Sequence, residues 1–306
     1  AEERGVTVLR EEFEAKMEEQ KEKARSAREV VMEKGQDSFI EDFYDKHGVT
    51  KFTGYEKTED EATLLSSREA KDGKYLLIFD KTPFYAESGG QVGDQGRIYS
   101  DNFSAKVLDV QKQKDIFIHT VEIEKGNAEE NKTYKLEVNL LRRLDTAKNH
   151  TATHLLHKAL REVVGTHVQQ AGSLVDPDKL RFDFSHYEAV TAEQLAKIEN
   201  IVNEKIREGI DVAVSHHSIE EAKNLGAMML FGDKYGEVVR VVDVPGFSTE
   251  LCGGTHIDNI AKIGLFKIVS EGGIAAGVRR IEAKTGYGAY LVEKEEADTL
   301  KEIEKK

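Results

Sequence analysis

Four residues in this sequence have the types and the spacing to bind one metal ion. His150 and His154 are four positions apart in a segment with a helical pattern, so both imidazoles lie on one face of a helix. Cys252 and His256 flank a loop with two glycines, whose backbone has the freedom to wrap around an ion. Three imidazole nitrogens and one thiolate in a tetrahedral number suit zinc better than any hard cation. The spacing therefore predicts a zinc site.

Other kinds of zinc site fit this spacing less well. A metalloprotease helix carries glutamate after its first histidine as a general base, whereas Thr151 occupies that position here. The pairs of a nucleic-acid-binding finger are about a dozen residues apart, whereas a whole α+β unit separates these pairs. The remaining histidines are isolated, and we expect packed or surface residues at His47, His119, His157, His167, His186, His216 and His217.

The composition is that of a soluble globular protein, with 306 residues of which 33% are charged and 39% hydrophobic. This length favours about two domains. No stretch approaches the roughly 18 apolar residues of a membrane span, and no leader opens the chain, so we expect a cytoplasmic protein without membrane contact. The single cysteine excludes an internal disulfide. Because the chain lacks an initiator Met and opens in a helical pattern, we expect a piece of a longer protein.

The net charge of -13 argues against nucleic acid as a partner, since phosphate contacts need lysine and arginine. The segment 141–161 is a local exception, because five basic residues stand there against Asp145 alone, a net charge of +4. A solvated helix face explains this segment, and so does a docking surface for a polyanion beside the metal site.

Helices and a barrel are predicted for the first half of the chain. We expect residues 1–49 to be helical, with a long helix to about residue 34 and a short one capped by Ser38 and Glu41. From residue 50 to 138 the hydrophobic period changes to two, which indicates a small antiparallel β-barrel. Its clearest strands are predicted at 75–79, 103–110, 116–121 and 134–138.

An α+β sandwich is predicted for residues 139–288, with helices packed against a mainly antiparallel sheet. The metal-binding helix spans about 139–164, and capping signals at Thr191 and Ser218 begin two more helices. Strands are expected at 168–175, 180–184, 210–214, 238–244, 265–269 and 278–283. Residues 289–306 continue as a charged connector helix.

The segment 87–94, Glu-Ser-Gly-Gly-Gln-Val-Gly-Asp, interrupts the predicted barrel. Its three glycines between 89 and 93 mark backbone that needs a positive φ or approaches another part of the chain closely. An ordinary loop explains the same residues, because a glycine pattern alone is weak evidence.

Several of these motifs together resemble the editing region of the bacterial alanyl-tRNA synthetase family: HTATHLLHKALREVVG, GSLV, RFDFSH and ELCGGTH, preceded by ESGGQVGD. The similarity covers about residues 50–290. It implies a zinc-containing hydrolase for the ester of mischarged tRNA(Ala), mainly seryl and glycyl, with alanyl-tRNA spared. The implied partners are the acceptor end of tRNA(Ala) and the rest of a synthetase. Because the amino-acid activation domain is absent, we expect no ligase activity from this chain.

Selectivity of such a site needs a polar group, because glycine is smaller and serine larger than alanine. A group that hydrogen-bonds the serine hydroxyl is left unpaired by alanine, which costs far more than a methylene mismatch. The candidates for substrate contact are Ser88 in the glycine-rich segment, Gln170 after the metal-binding helix, and Asp94.

For hydrolysis, zinc either activates water or holds the substrate while another residue orients the water. Four protein ligands normally close a structural site, so we expect one ligand, His256 at the end of the glycine loop, to be exchangeable. Glu250 is the best-placed carboxylate for binding the substrate ammonium or acting as a base, although an exposed acid at a strand end is the alternative. Predicted phosphate contacts for the tRNA end are Arg143, Lys148, Arg279 and Arg280, the last two being neighbours on one strand, of which one faces the site.

Three functions remain open at this point. The first is an editing hydrolase that forms part of a synthetase. The second is a non-catalytic tRNA-binding module whose zinc only stabilises the fold. The third is a free-standing alanyl deacylase, a class that shares the HxxxH and CxxxH pairs with the editing domain of threonyl-tRNA synthetase. The long flanking helices favour the first.

Overall fold

The structure is a computed structural model that describes residues 36–229 and 236–305. The chain divides after Val49 into two compact units. Within the described ranges, no helix combines the length and the apolar content that a membrane crossing requires.

In the first unit the structure describes one helix, α1 (Gln36–His47), which is followed by Gly48 with a φ of +75°. The predicted cap at Ser38 is wrong, because the helix begins two residues earlier and Ser38 lies within it. The long helix predicted up to about residue 34 lies outside the described residues.

A closed six-stranded antiparallel barrel opens the second unit, and it confirms the predicted small barrel. The strands of this region are β1 (Lys51–Phe52), β2 (Glu59–Glu69), β3 (Tyr75–Phe79), β4 (Lys81–Thr82), β5 (Gly96–Ser100), β6 (Phe103–Gln113), β7 (Ile116–Lys125) and β8 (Thr133–Val138). The order in the barrel is β2-β3-β7-β6-β5-β8, and the short strands β1 and β4 pair in parallel beside it.

Apolar residues at alternate positions of the strands fill the barrel interior. Strand β8 buries Tyr134, Leu136 and Val138, as its period of two predicts, while the residues between them are more exposed. The sequence pattern did not single out β2, because Ala62 and Leu64 are the only fully buried residues among its eleven. Such a strand is recognisable mainly through its partners β3 and β8.

Two antiparallel sheets follow, where the sequence pattern predicted one. The elements are α2 (Leu140–Val163), β9 (Gln170–Val175), β10 (Leu180–Ser185), α3 (Ala192–Glu208), β11 (Ala213–Ser218), α4 (Ile219–Asn224), β12 (Val238–Val244), β13 (Ser248–Leu251), a 3-10 helix (Ile260–Ile263), β14 (Phe266–Ala275), β15 (Val278–Thr285) and α5 (Gly286–Glu304). The strand orders of the two sheets are β14-β15-β10-β9 and β11-β12-β13.

Most of the predicted elements of this region are present with small shifts. The capping boxes at Thr191 and Ser218 are both formed, and Gly209 ends α3 with a φ of +64°. Strand β11 starts at Ala213, later than predicted, and β14 continues to Ala275 because it pairs along the whole of β15. Helix α5 begins at Gly286, before the predicted start at 289.

The core of the α+β region lies between α2, α3 and the four-stranded sheet. Leu180, Phe182 and Phe184 of β10 are all fully buried there, as their alternation predicted. From α2, the apolar residues of the C-terminal half join this core, whereas Leu141 near its start is 76% exposed. Residues 149–157 of α2 are all buried, so packing on several sides holds the middle of the helix, which carries His150 and His154.

The glycine-rich segment joins the barrel to the four-stranded sheet. The Val92 N–H donates to the Val175 carbonyl at 3.0 Å, and the Val175 N–H donates to the Gly90 carbonyl at 2.7 Å. Gly90 has a φ of +85°, and a Cβ there would lie 2.5 Å from the Ser173 carbonyl oxygen. The predicted need for a positive φ and a close approach is confirmed at this glycine.

Candidate metal centre

The two predicted ligand pairs meet at one point. One ligand atom from each of His150, His154, Cys252 and His256 lies within 4.8 Å of the others. The Cys252 Sγ is 3.4 Å from the His150 Nε2 and 3.3 Å from the His256 Nε2. Helix α2 supplies two of these side chains, and the loop after β13 supplies the other two. Three nitrogens and a sulfur that converge in this way form a set that can bind a metal ion.

The ring nitrogens that face away from this cluster also have partners. The His150 Nδ1 is 2.8 Å from the Gln91 Oε1, and the His256 Nδ1 is 3.0 Å from the Thr151 Oγ1. Partners of this kind fix the orientation and the tautomer of a metal-binding imidazole. The surroundings of the histidines therefore fit metal ligation as well as their spacing does.

Gly254 allows the loop to pass close to helix α2. A Cβ at this position would lie 2.1 Å from the Cε1 of His150, so any larger residue would displace the ring. The Gly254 N–H is also 3.4 Å from the Cys252 sulfur. The second glycine of the loop is therefore needed for close approach and not for a positive φ.

The pKa values of Cys252 and His256 favour the protonation states that bind a cation, whereas the pKa of His154 does not. Burial raises the pKa of the Cys252 thiol, but His150 and His256 outweigh this effect and hold the pKa well below its ordinary value. Burial lowers the pKa of His256 to about 3, which keeps this ring neutral. Burial also lowers the pKa of His154, yet Glu250 and Cys252 together raise it to about 9. A cation that binds here must therefore displace a proton from His154.

Glu250 lies behind the cluster and is 7% exposed, so the alternative of an exposed strand-end acid is excluded. Its Oε2 is 3.9 Å from the Nδ1 of His154, and its Oε1 is 3.2 Å from the Nδ1 of His157. Burial raises the pKa of Glu250, but His154 and His157 lower it by a larger amount, so the pKa lies below its ordinary value. The carboxylate is therefore charged and held between two rings of α2.

A cleft of about 700 Å³ opens onto the cluster. Two of the predicted substrate-contact residues, Ser88 and Gln170, line it together with Glu250. The barrel contributes Lys112 and Asp115 from the end of β6 and the turn after it. A cleft of this volume is in the usual range for a small-molecule ligand or the end of a larger one.

Asp94 and Arg143 have a different place from the predicted one. They form a buried ion pair, in which the Arg143 Nε is 2.9 Å from both carboxylate oxygens, and they are 5% and 6% exposed. Arg143 also donates to the carbonyls of Gly54 and Pro83. Its guanidinium is thus taken up inside the protein, and neither residue lines the cleft. The ion pair of Asp94 and Arg143 therefore connects the barrel side of the protein to α2. This geometry favours a structural role over the predicted substrate and phosphate contacts.

The other predicted phosphate contacts are also paired with carboxylates and lie outside the cleft lining. Lys148 donates to Asp145 at 2.9 Å, and the Arg280 Nε donates to Asp183 at 2.7 Å. Arg279 forms two bonds with Glu271. The basic stretch on α2 is therefore neutralised in part, by Asp145 within the stretch and by the distant Asp94, which a count of charges along the sequence does not reveal.

Sequence reasoning missed several residues around the cluster. His157 was expected to be an isolated histidine, although its position seven residues after His150 places it on the same helix face. Gln91, which is fully buried, lies in the glycine-rich segment and bonds the Thr255 N–H and hydroxyl besides His150. For Tyr55 and Arg240, which contact the cysteine loop, the sequence holds no local signal.

The fold and the site define a class of protein, in which a β-barrel is joined to an α+β region that carries a His3Cys cluster able to bind a metal ion. Residues 1–142 match the family described as tRNA synthetases class II (A). Residues 239–282, which include Cys252 and His256, match the one described as threonyl and alanyl tRNA synthetase second additional domain.

Individual relatives agree with these matches. The chain is 88% identical over 306 residues to an alanine–tRNA ligase of Fusobacterium nucleatum subsp. nucleatum, covering 100% of the chain and 35% of that ligase. Alanine–tRNA ligases of Listeria innocua and Bacillus anthracis are 50% and 48% identical, each over 99% of the chain and 35% of the ligase. The chain belongs to the alanine–tRNA ligase family and spans about a third of the length of these relatives.

Proposed function

We propose that this chain is the editing region of an alanine–tRNA ligase and hydrolyses the aminoacyl ester of Ser-tRNA(Ala) and Gly-tRNA(Ala) in cytoplasmic protein synthesis. The observation that carries the proposal is the His3Cys cluster beside a cleft of about 700 Å³, within a segment that matches the second additional domain of these synthetases. The partners are the acceptor end of tRNA(Ala) and the rest of the ligase. The ligase activity itself belongs to parts that this chain does not include.

Zinc is the proposed ion, held by His150, His154, Cys252 and His256. When bound, it supplies a Lewis acid for the ester carbonyl or for water. Glu250 lies beside the cluster as a charged carboxylate, where it holds the substrate ammonium or accepts a proton from water. His157 keeps this carboxylate in place from the other side, at 3.2 Å.

Discrimination against alanine rests on the polar lining of the cleft. Ser88 and Gln170 reach the cleft from the glycine-rich segment and from β9, and they are the proposed partners of a serine hydroxyl. With alanyl-tRNA these groups gain no partner from the substrate, which weakens binding in the transition state. Glycine offers no hydroxyl to these two groups, so its release rests on other contacts.

The proposal is tested by loading the chain with zinc and measuring release of the amino acid from Ser-tRNA(Ala) and Ala-tRNA(Ala). We expect serine to be released in multiple turnovers and alanine at a much lower rate, with serine release lost when a chelator removes the ion.

The closed set of four ligands favours a second candidate, a tRNA-binding module stabilised by zinc. That candidate is supported if chelation unfolds the chain while the loaded protein never hydrolyses the ester.

Lys112 is the proposed phosphate contact for the tRNA end. It lines the cleft from strand β6, and its ion-pair partner Asp115, 3.4 Å away, is 72% exposed and hence a weak competitor. We expect Lys112→Ala to raise KM for acylated tRNA and to reduce the slope of log KM against log salt by about 1, with kcat unchanged. Lys106→Ala on the same strand is the matched control, because Lys106 is exposed and does not line this cleft. Equal KM values and salt slopes for the two variants would exclude this contact.

A further inference from the structure

Three consecutive carbonyls of the cysteine loop are held from outside the loop. The Arg240 Nη1 donates to the carbonyl of Cys252 at 2.8 Å and to that of Gly254 at 3.0 Å. The Tyr55 hydroxyl donates to the carbonyl of Gly253 between them. Backbone carbonyls in a glycine-rich loop have no partner in a helix or sheet, so these bonds replace the ones that regular structure would supply.

Arg240 and Tyr55 also contact each other. The guanidinium carbon of Arg240 lies 4.2 Å from the centroid of the Tyr55 ring, a distance typical of a cation–π contact. The planar guanidinium is thus held between an aromatic face and two carbonyls. In addition, the Arg240 carbonyl accepts the Cys252 N–H at 3.0 Å, which places the arginine beside the start of the loop.

The two residues come from different parts of the chain. Arg240 lies on β12, next to the strand that leads into the loop, whereas Tyr55 lies between β1 and β2 on the side of the barrel. Gln91 of the glycine-rich segment provides a second link from the barrel to the same loop, through Thr255. The loop that carries two metal ligands is therefore shaped partly by the barrel.

We propose that Tyr55 and Arg240 form a clamp that positions the Cys252–His256 loop for metal binding. Through Tyr55, the barrel side of the protein then contributes to metal affinity. Both are positioning residues, because they act on the backbone of the loop and not on the ion. The inference rests on the proposed function in one respect, which is that the His3Cys cluster binds a metal ion. It implies that loss of the clamp weakens metal binding even though all four ligands remain.

The test uses cobalt(II) as the probe in the full chain, with Tyr55→Phe and Arg240→Gln as variants. Tyr55→Phe keeps the ring over which the guanidinium lies and removes only the hydroxyl. We expect Arg240→Gln to weaken cobalt affinity by about 10- to 100-fold, the usual effect of losing a group that supports a ligand, and Tyr55→Phe to weaken it less. The thiolate-to-cobalt absorption band should change in both variants. In the deacylation assay, Tyr55→Phe should lower kcat and leave KM for tRNA the same; KM is read from this variant because Arg240, unlike Tyr55, lines the cleft.

A matched pair on the barrel serves as the control. The Arg97 guanidinium lies 5.5 Å from the centroid of the Tyr99 ring, on strand β5 and away from the cleft. Arg97→Gln and Tyr99→Phe should leave cobalt affinity and absorption unchanged.

Two negative results have different meanings. If the folded wild-type chain shows no thiolate-to-cobalt band, the metal centre of the proposed function is contradicted and the clamp with it. If the wild type binds cobalt and folded Tyr55→Phe matches it in affinity and spectrum, as Arg240→Gln also does where it folds, the clamp alone is overturned. Should Arg240→Gln fail to fold, Tyr55→Phe decides the question, because it removes a single oxygen from a half-exposed side chain.

Discussion

Replacing Cys252 with alanine is expected to abolish stoichiometric metal binding and to reduce serine release from Ser-tRNA(Ala) by more than about 100-fold. Losing a group that merely supports a metal ligand costs roughly 10- to 100-fold, and losing the ligand itself should cost more. Cys252 is the only cysteine of the chain and the only sulfur in the cluster, so no neighbour can replace it. Metal content by elemental analysis and the rate of serine release check the two parts of this prediction.

The control for this variant is His186→Ala. His186 forms a pair with His167 at 3.0 Å on an exposed part of the surface and does not belong to the metal-binding cluster. This variant should keep both its metal and its activity. A folded Cys252→Ala protein with full metal content and full activity would contradict the assignment of the ligand.

The same variant distinguishes an ion that takes part in the reaction from one that only stabilises the fold. In the first case, Cys252→Ala loses serine release while its free energy of unfolding stays close to that of the metal-free wild type and the fold is retained. In the second case, the wild type shows no hydrolysis and both removal of the ion and Cys252→Ala unfold the chain. Urea unfolding with and without zinc, followed beside the deacylation assay, separates these outcomes.

The second large effect is expected for Asp94→Ala, which should lower the free energy of unfolding by about 3–5 kcal/mol. The change leaves the Arg143 guanidinium buried without its counter-charge, since Arg143 is only 6% exposed. It also removes the acceptor of the Tyr85 N–H, which is 2.6 Å from the Asp94 carboxylate. Urea unfolding of the variant measures this loss.

Arg97→Ala is the control for the ion pair, because Arg97 pairs with Glu137 at 3.9 Å on the surface. An exposed pair of this kind contributes about 0–1 kcal/mol, so the free energy of unfolding of this variant should be close to that of the wild type.

Arg143→Ala tests the Asp94–Arg143 pair from the side of the arginine. If it left stability unchanged but weakened tRNA binding with a smaller salt slope, the phosphate contact predicted from the sequence would be restored.

Local spacing was sufficient to find the His3Cys cluster and most of the elements that carry it. His150 and His154 are neighbours on any helix, and Cys252 with His256 spans one short loop, so each pair depends on contacts within five residues. Period and capping signals likewise act over a few residues. The helix that starts after Thr191 and the strand that holds Phe182 are present for this reason.

The sequence by itself therefore determined the His3Cys set, the family and the local elements, whereas only the tertiary structure decided what surrounds each charged group. Arg143 was a plausible phosphate contact until the fold placed it against Asp94, 49 residues earlier in the chain. In the folded chain, Gln91 hydrogen-bonds His150 and Tyr55 hydrogen-bonds the Gly253 carbonyl. Glu250 lies between His154 and His157. These contacts join residues far apart in sequence, and strand register and helix packing set them. The physical reason is that spacing along a chain encodes only short-range neighbours, while the partner of a buried charge depends on the whole fold.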